Sequence, residues 1–356
     1  MVASAPAAFA QAGASVQVYG VADMAISSYR GEGAGSRQML TSSGNQASRV
    51  GFRGKENFGN GMVAGFDLEA GLNTDAGSGQ PTNTNNQPSG HAVGGITFNR
   101  KSFVYLGGPL GTVRLGRDYT PGFWNLFVYD PFRNGVGIGG LTTYGTTSTG
   151  FRSSNGVGYF SPGCTDFRCN GFFFQATVAF GENQGAETGR KDGTYTGWRA
   201  GYGGDGWDIA VADGTTRSDK AGDYVQRNIG GSYVWQSHRL MLLLGEHKTG
   251  NRLAAMNEAD SMRFAQIGGW ISLGKDYIPV SFTYLKRNDT ADSRARKLSV
   301  GYVHTLSKRT ALYGTYSYVS NGGLLRIPVS SGAEQGPLPI AGGKASGFDL
   351  GIRHNF

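Results

Sequence analysis

Residues 346–356, SGFDLGIRHNF, alternate between two kinds of side chain at the end of the chain. Phe348, Leu350 and Ile352 share one parity, whereas Asp349 and Arg353 share the other. Successive side chains of a β-strand point to opposite faces of the sheet, so this pattern predicts a strand with one apolar and one polar face. Alternating segments of about ten residues recur along the chain, which is the signature of a transmembrane β-barrel. A soluble β-sandwich or propeller would alternate equally well.

The alternating segments predict about sixteen strands, an even number as in single-chain bacterial barrels. They are Ser15 to Tyr29, Arg49 to Asn57, Met62 to Asn73, Phe98 to Gly107, Gly111 to Asp118, Asn155 to Ser161, Phe172 to Gly181, Thr194 to Gly203, Trp207 to Thr216, Arg227 to Gln236, Arg239 to Thr249, Ser261 to Leu273, Asp276 to Arg287, Arg296 to Thr305, Thr310 to Val319 and Ser346 to Phe356. Tight connections such as Gly274-Lys275 alternate with long ones such as Ser320 to Ala345. An outer-membrane barrel has this polarity, with short periplasmic turns and long external loops, and a soluble sandwich has no reason to keep it.

Composition supports an all-β membrane protein without transmembrane helices. The 356 residues include 60 glycines, and charged residues make up 16% of the chain. Soluble domains contain about 7% glycine and about 25% charged residues. The densest apolar run, Leu240 to Leu244, is far shorter than the roughly 18 residues that a transmembrane helix needs. Four aromatic residues near strand ends are candidates for interfacial girdles: Tyr29, Trp235, Tyr277 and Tyr318. Aromatic residues beside the turns of a soluble sheet would look the same.

The N-terminal residues and the cysteines indicate export. Residues 1–12, MVASAPAAFAQA, are small and uncharged and contain A-x-A patterns, so we interpret them as the remnant of an export signal that precedes one barrel domain at 13–356. Cys164 and Cys169 are the two cysteines. They fall in a connection predicted to be periplasmic, where oxidising conditions favour a disulfide between them.

The segment Tyr119 to Ser154 is too long for a hairpin loop of the usual ~2 to 5 residues. Thr120-Pro121 is a helix start signal, apolar residues follow at helical spacing, and Pro131 marks the end. The remainder is rich in glycine, threonine and serine. We therefore predict a long loop with a short helix, folded inward against the surrounding sheet.

Several short motifs resemble those of the general porins of Gram-negative outer membranes, especially the beta-proteobacterial branch. They are Val18-Tyr19-Gly20, residues 48–54 (SRVGFRG), 58–61 (FGNG), 98–100 (FNR), 111–117 (GTVRLGR), 306–310 (LSKRT) and 351–356 (GIRHNF). The resemblance spans nearly the whole chain and departs from the family at Gly163 to Asn170, where a cysteine-containing insertion replaces a short turn. It implies a trimer of 16-stranded antiparallel barrels, each with its third external loop, here 119–154, folded into the pore as a constriction loop. It also links the terminal Phe356 to recognition by the barrel-assembly machinery.

Charged residues of one parity are the candidates for the pore lining. Arg49, Arg53 and Lys55 would stack along one lumen-facing line, because a cation at mid-bilayer on the lipid face costs about 2 to 4 kcal/mol. Asp118 and Asp130 are expected opposite this basic wall, where they would create a transverse field. The other candidate constriction residues are Asp67, Glu69, Arg100, Arg114 and Arg133. For any one of these residues, simple solvation of a water-filled lumen is the alternative role.

These features predict an outer-membrane porin for passive diffusion of small hydrophilic solutes and ions. The formal net charge of +8 and the basic line favour a modest anion preference. A substrate-specific outer-membrane channel is the alternative. The five histidines have no nucleophile motif around them, so neither catalytic residues nor an enzyme is predicted. We expect neither a metal nor a cofactor, and the dispersed Lys and Arg residues argue against nucleic-acid binding. The expected partners are outer-membrane lipid and lipopolysaccharide, two further copies of the chain, the transported solutes and the assembly machinery.

Overall fold

The computed structural model describes residues 15–87, 95–133, 137–141, 148–162, 170–184, 189–219, 222–250, 261–330 and 335–356. The residues interpreted as an export remnant, and Cys164 and Cys169, lie outside the described residues, so both interpretations stay predictions. Within the described ranges, no helix has the length and hydropathy needed to cross a membrane. The strands are β1 (Ser15–Gly31), β2 (Gly35–Ser42), β3 (Arg49–Gly59), β4 (Met62–Asn73), β5 (Ser78–Gly79), β6 (Lys101–Gly108), β7 (Gly111–Tyr119), β8 (Arg152–Phe160), β9 (Gly171–Ala179), β10 (Tyr195–Gly204), β11 (Trp207–Thr216), β12 (Tyr224–Trp235), β13 (His238–Lys248), β14 (Ser261–Leu273), β15 (Asp276–Arg287), β16 (Arg294–Thr305), β17 (Thr310–Gly322) and β18 (Lys344–Asn355).

All of these strands belong to one antiparallel sheet that closes on itself. β1 pairs with β18, from Val21 opposite Asn355 to Gly31 opposite Ala345. β2 and β3 pair with successive parts of β1, so together they make one barrel strand that is interrupted at residues 43–48. β5 has two residues and pairs only with the end of β4. Eighteen strand segments, less one for the β2–β3 pair and one for β5, make sixteen barrel strands, which confirms the predicted 16-stranded antiparallel barrel.

Strand β2 was not predicted, because no strand was assigned between Tyr29 and Arg49. The segment Gly35–Ser42 pairs in register with β1, from Gly31 opposite Gly35 to Met24 opposite Ser42. Its sequence, GSRQMLTS, has no clear alternation of apolar and polar residues. The strand is therefore defined by its hydrogen-bonding partner and not by a local pattern.

The two faces of the sheet follow the predicted parity. Phe348, Leu350 and Ile352 are 43%, 58% and 50% exposed on the outer face, whereas Asp349 is fully buried on the inner face. The predicted aromatic girdle needs a correction for Tyr29 and Tyr277. The Tyr29 hydroxyl donates to Asp349 Oδ1 at 2.8 Å, and Tyr277 packs against an inner cluster that contains Tyr313. Both residues lie on inward-facing positions of their strands, so proximity to a strand end was not sufficient to place them.

Most short and long connections lie at opposite ends of the strands, as predicted. The exceptions are the three-residue turn between β1 and β2 at the long-connection end and the ten-residue connection between β8 and β9 at the short-turn end. Two-residue turns join β3 to β4, β6 to β7, β10 to β11, β12 to β13 and β14 to β15. In four of these turns a residue adopts a positive φ, for example Asn60 at 52° and Gln236 at 54°. At the other end of the strands lies the long connection between β7 and β8. It carries the predicted helix.

Helix α1 (Pro121–Val128) begins after Thr120 and has proline in its first turn, as the sequence predicts. It lies against the inner face of β10, β11 and β12. Asn125 Nδ2 donates to the Ala210 carbonyl at 3.0 Å, and Asn228 Nδ2 donates to the Gly122 carbonyl at 3.0 Å. Arg199 Nε donates to Asn125 Oδ1. Polar side chains of the barrel wall therefore bind the helix directly.

The residues after α1 continue this contact with β14, β16 and β17. Trp270 Nε1 donates to the Pro131 carbonyl at 2.7 Å, and Ser317 Oγ donates to the Ile138 carbonyl at 2.9 Å. Lys297 Nζ donates to the Gly140 carbonyl at 2.7 Å. Along its described residues, the connection that starts at β7 thus contacts strands on the far side of the ring.

Candidate functional site

A cavity of about 350 Å³ separates this connection from the wall formed by β3, β4 and β6. Five cationic side chains and one carboxylate are among its lining residues: Arg49, Arg100, Lys101, Arg133, Arg152 and Glu69. Phe123, Phe127 and Phe151 supply an apolar part of the lining. The charged groups come from opposite sides of the cavity, because Arg49 and Glu69 belong to the wall and Arg133 follows helix α1.

Glu69 is the centre of the charged cluster. Its carboxylate accepts from Arg100 Nε at 2.7 Å, lies 3.2 Å from Arg49 Nε, and accepts from the Tyr19 hydroxyl at 3.1 Å. The exposed fraction of the Glu69 side chain is only 5%, so its two arginine partners interact with it at reduced dielectric. One carboxylate facing two guanidinium groups leaves a surplus of positive charge.

Tyr119 joins one more cation, Arg152, to the cluster. Arg100 Nη2 and Arg152 Nη2 both donate to the Tyr119 hydroxyl, at 2.8 and 3.1 Å. The Arg152 guanidinium also lies 4.6 Å from the centre of the Tyr119 ring. The hydroxyl oxygen accepts from both guanidinium groups and so fixes their orientation beside the cavity.

Asp67 and Lys101 form a neighbouring pair on the same wall. Lys101 Nζ lies 3.0 Å from Asp67 Oδ2, and the Tyr19 hydroxyl donates to Asp67 Oδ1 at 2.7 Å. The strand register places Lys101 directly opposite Glu69. The charge of Lys101 is therefore shared between two carboxylates.

The structure brings together only part of the predicted set of pore residues. Arg53 Nε donates to Gln17 Oε1 at 2.9 Å, and its guanidinium lies 5.0 Å from the Tyr19 ring centre, outside the cavity lining. Lys55, two residues further toward the short turns, is exposed. Arg114 pairs with Asp118 at 2.7 Å, and its guanidinium lies 4.0 Å from the Phe160 ring centre.

Asp130 does not face the basic wall, which corrects the expected transverse arrangement. Its carboxylate is fully buried and accepts from the backbone N–H groups of Phe132 and Leu141, at 3.0 and 2.7 Å. It also accepts from Gln266 Nε2 at 3.1 Å. These donors turn the carboxylate toward β14, and Asp118 is turned toward Arg114. Among the residues that line the cavity, the acid on the wall opposite Arg133 is Glu69.

Lys101, Tyr119 and Arg152 were missed as site residues. The alternation of β6 carried a usable signal, because Lys101 shares the parity of the buried Phe103. Tyr119 and Arg152 lie where strands meet the long connection, and no sequence pattern indicates where their side chains point.

Residues 43–48, the interruption between β2 and β3, form an inward shelf that also lines the cavity. The carboxylate of Asp23 holds the shelf by accepting from the N–H groups of Gly44, Asn45 and Gln46 at 3.0, 3.1 and 2.6 Å. A Cβ atom on Gly137 would come within 1.9 Å of the Gly44 carbonyl oxygen, so the shelf and the long connection touch closely. The shelf was not predicted from the sequence.

A closed barrel with a charged interior and an apolar outer face defines a transmembrane β-barrel of the outer-membrane type. Residues 1–324 match the family described as Gram-negative porin, and the chain belongs to that family. The predicted resemblance and the outer-membrane location are thereby confirmed, and the protein is an outer-membrane porin channel.

Individual relatives agree with this assignment. The chain is 32% identical to outer membrane porin protein 32 of Delftia acidovorans, in an alignment that covers 100% of this chain and 97% of that protein. It is similar in structure to an anion-selective porin from Comamonas acidovorans, with a TM-score of 0.81, 29% identity and coverage of 96% and 100%. OmpT from Vibrio cholerae in its trimer form has a TM-score of 0.65 at 13% identity, covering 97% of this chain and 100% of OmpT, and shares the fold alone.

Proposed function

We propose that the channel passes small hydrophilic solutes and ions by passive diffusion, with a modest preference for anions and without a catalytic step. The observation that carries this proposal is the cavity lining, which contains five cationic side chains and one carboxylate; Asp67, just outside it, pairs with Lys101 and still leaves cations in excess. The solved relative from Comamonas acidovorans is an anion-selective porin, which supports the same direction of preference.

The electrostatic argument depends on distance and dielectric. Two unit charges 4 Å apart interact by about 4 kcal/mol at an effective dielectric constant of 20, compared with about 1 kcal/mol in water. Charges more than about 8 Å away are screened at physiological ionic strength. An ion inside a cavity of about 350 Å³ stays close to the lining cations, whereas charges on exposed loops act through water and salt. The local surplus of positive charge, and not the net charge of the chain, should therefore set selectivity.

Segment 119–154 is proposed to be the constriction loop of a single barrel domain at 13–356. The contacts of α1 with β10 to β12, and of Gly140 with Lys297, support a path across the channel. The long connections are proposed to lie on the external side and the two-residue turns on the periplasmic side.

The barrel is proposed to assemble as a homotrimer in contact with outer-membrane lipid and lipopolysaccharide. The apolar outer face supports a lipid environment, and the trimer form of the Vibrio cholerae OmpT structure shows that this fold accommodates such an assembly in that protein. Insertion by the barrel-assembly machinery is proposed through the C-terminal strand that ends at Phe356.

Purified protein in a planar bilayer should give a zero-current potential in a KCl gradient that indicates anion preference. The preference should weaken as the salt concentration rises, because screening shortens the reach of the lining cations. Flux that falls smoothly with solute size supports a general porin. Saturable block of conductance by one solute would instead support the substrate-specific alternative, and cation preference would contradict the proposal.

The role of Phe356 can be separated from its structural contribution. Its backbone N–H and carbonyl each bond to Gly20, at 3.1 and 3.0 Å, and its side chain is 49% exposed on the outer face. Phe356→Leu keeps these backbone bonds and an apolar outward side chain. We expect this variant to reduce the yield of assembled trimer in cells by severalfold and to refold in detergent as the native protein does. A loss of equal size in cells and in vitro would show that the aromatic ring matters only for barrel closure.

A further inference from the structure

Six charged residues lie level with one another on the outer face of β11 to β16. Each is the direct register partner of the next, in the order Asp213, Arg227, Glu246, Arg263, Lys286 and Arg294. We refer to these six residues as the outer charge row. Neighbouring strands are about 4.8 Å apart, so the row follows the circumference of the barrel without a gap. The side chains of Arg227, Arg263, Lys286 and Arg294 are 52% to 76% exposed.

The second half of the row contains three cations in succession. Arg263, Lys286 and Arg294 are directly opposite one another across two strand pairs. Like charges directly opposite in a sheet are destabilising. Two nearby acids compensate them only in part, because Glu246 is shared with Lys248 and Asp292 is shared by Lys286 and Arg294. Counting the row with these partners gives five cations and three acids, a surplus of two positive charges.

The row marks the edge of the apolar outer band. Val211, Ile229 and Leu244 lie on the same outer face, two residues closer to the short turns than the row. Each is 41% to 43% exposed. Further along lie Ile267 and Phe282, 51% and 43% exposed. On its other side the row borders the connections between β11 and β12, β13 and β14, and β15 and β16. The cations therefore stand where the hydrocarbon region ends and lipid headgroups begin.

We propose that the outer charge row is a binding site for the phosphate groups of a phosphorylated lipid headgroup in the outer leaflet. This inference rests on the proposed external placement of the long connections. Arg offers paired N–H donors that match phosphate oxygens, and Lys offers a compact charge. Adjacent cations on three strands can engage a headgroup with two phosphates, whose negative charge would relieve their mutual repulsion. Lipid tails would at the same time cover the apolar residues below the row.

The test compares two triple variants of the whole refolded protein. The row variant combines Arg263→Gln, Lys286→Gln and Arg294→Gln and so removes three positive charges from the row. The matched control variant combines Lys275→Gln, Lys308→Gln and Arg309→Gln, which removes three exposed charges from the short-turn end. The probe is bisphosphorylated lipid A in detergent, with the bound lipid measured by native mass spectrometry. Lipid A binding to the row variant should weaken on the order of a hundredfold, and binding to the control should match the unmodified protein.

Further measurements decide between the sources of phosphate and between roles for the row. Dephosphorylated lipid A should bind all three proteins equally weakly, and inorganic phosphate at the same concentration should not displace lipid A. The variant Asp292→Asn, which removes a competing acid, should bind lipid A more tightly.

Equal lipid A binding by the two triple variants would overturn the proposal, as would displacement by inorganic phosphate. Loss of the trimer in the row variant with unchanged lipid binding would identify a subunit contact instead. Bilayer conductance tests the channel function independently, because all these residues lie on the outer face or in turns.

Discussion

Replacing Arg49 and Arg133 together by glutamine is expected to move the zero-current potential in a KCl gradient strongly toward cation preference. Both side chains line the cavity, from the wall and from the long connection respectively. Their loss leaves the Glu69 carboxylate less compensated, since Arg49 Nε lies only 3.2 Å from it. At low salt we expect the ratio of anion to cation permeability to fall by about tenfold, the combined effect of two charges within a Debye length of the ion.

Two matched variants show whether position or total charge is responsible. The double variant Arg53→Gln and Lys55→Gln also removes two positive charges, both from β3, the strand that carries Arg49. Neither residue belongs to the cavity lining, so the potential should shift less. Lys308→Gln with Arg309→Gln removes the same charge from a short turn and should have almost no effect, particularly in high salt. Equal shifts in all three variants would mean that selectivity reflects the charge of the whole surface and would contradict the assigned site.

Asp130→Ala is expected to release the long connection from the barrel wall. The carboxylate accepts hydrogen bonds from two backbone N–H groups of the connection and from Gln266 on β14. Alanine would leave these buried donors without an acceptor, at a cost of about 1 to 3 kcal/mol for each. Single-channel recordings should show a larger and noisier conductance and a weaker anion preference, because Arg133 would no longer be held beside the wall.

Graded and control substitutions sharpen this test. Asp130→Asn keeps one acceptor oxygen and should give an intermediate effect. Asp205→Ala, in an exposed two-residue turn, removes an equal charge without a buried hydrogen bond and should leave the recordings unchanged. If Asp130→Ala conducts as quietly as the native channel, the remaining contacts of Pro131, Ile138 and Gly140 suffice to hold the connection in place.

The amino-acid sequence alone determined the class of fold, the two faces of its strands and the helix in the long connection. Alternation is a local property with a period of two, so Phe348, Leu350 and Asp349 could be assigned to faces without knowing their neighbours. Helix α1 was equally local, because Thr120-Pro121 and the apolar spacing after it lie within one short segment. The strand count and the alternation of short and long connections followed from the same local signals.

Only the tertiary structure decided which charged groups meet. Asp130 bonds to Gln266, 136 residues away, and Asp23 holds the shelf at 44–46 while also accepting from Tyr313, 290 residues away. Lys101 joined the site because register places it opposite Glu69, and the outer charge row is level only because six strands pair in one particular register. Parity shows which face a side chain occupies. The height of that side chain on the barrel, and the path of a loop across it, depend on hydrogen bonds between residues far apart in the chain, for which no local pattern exists.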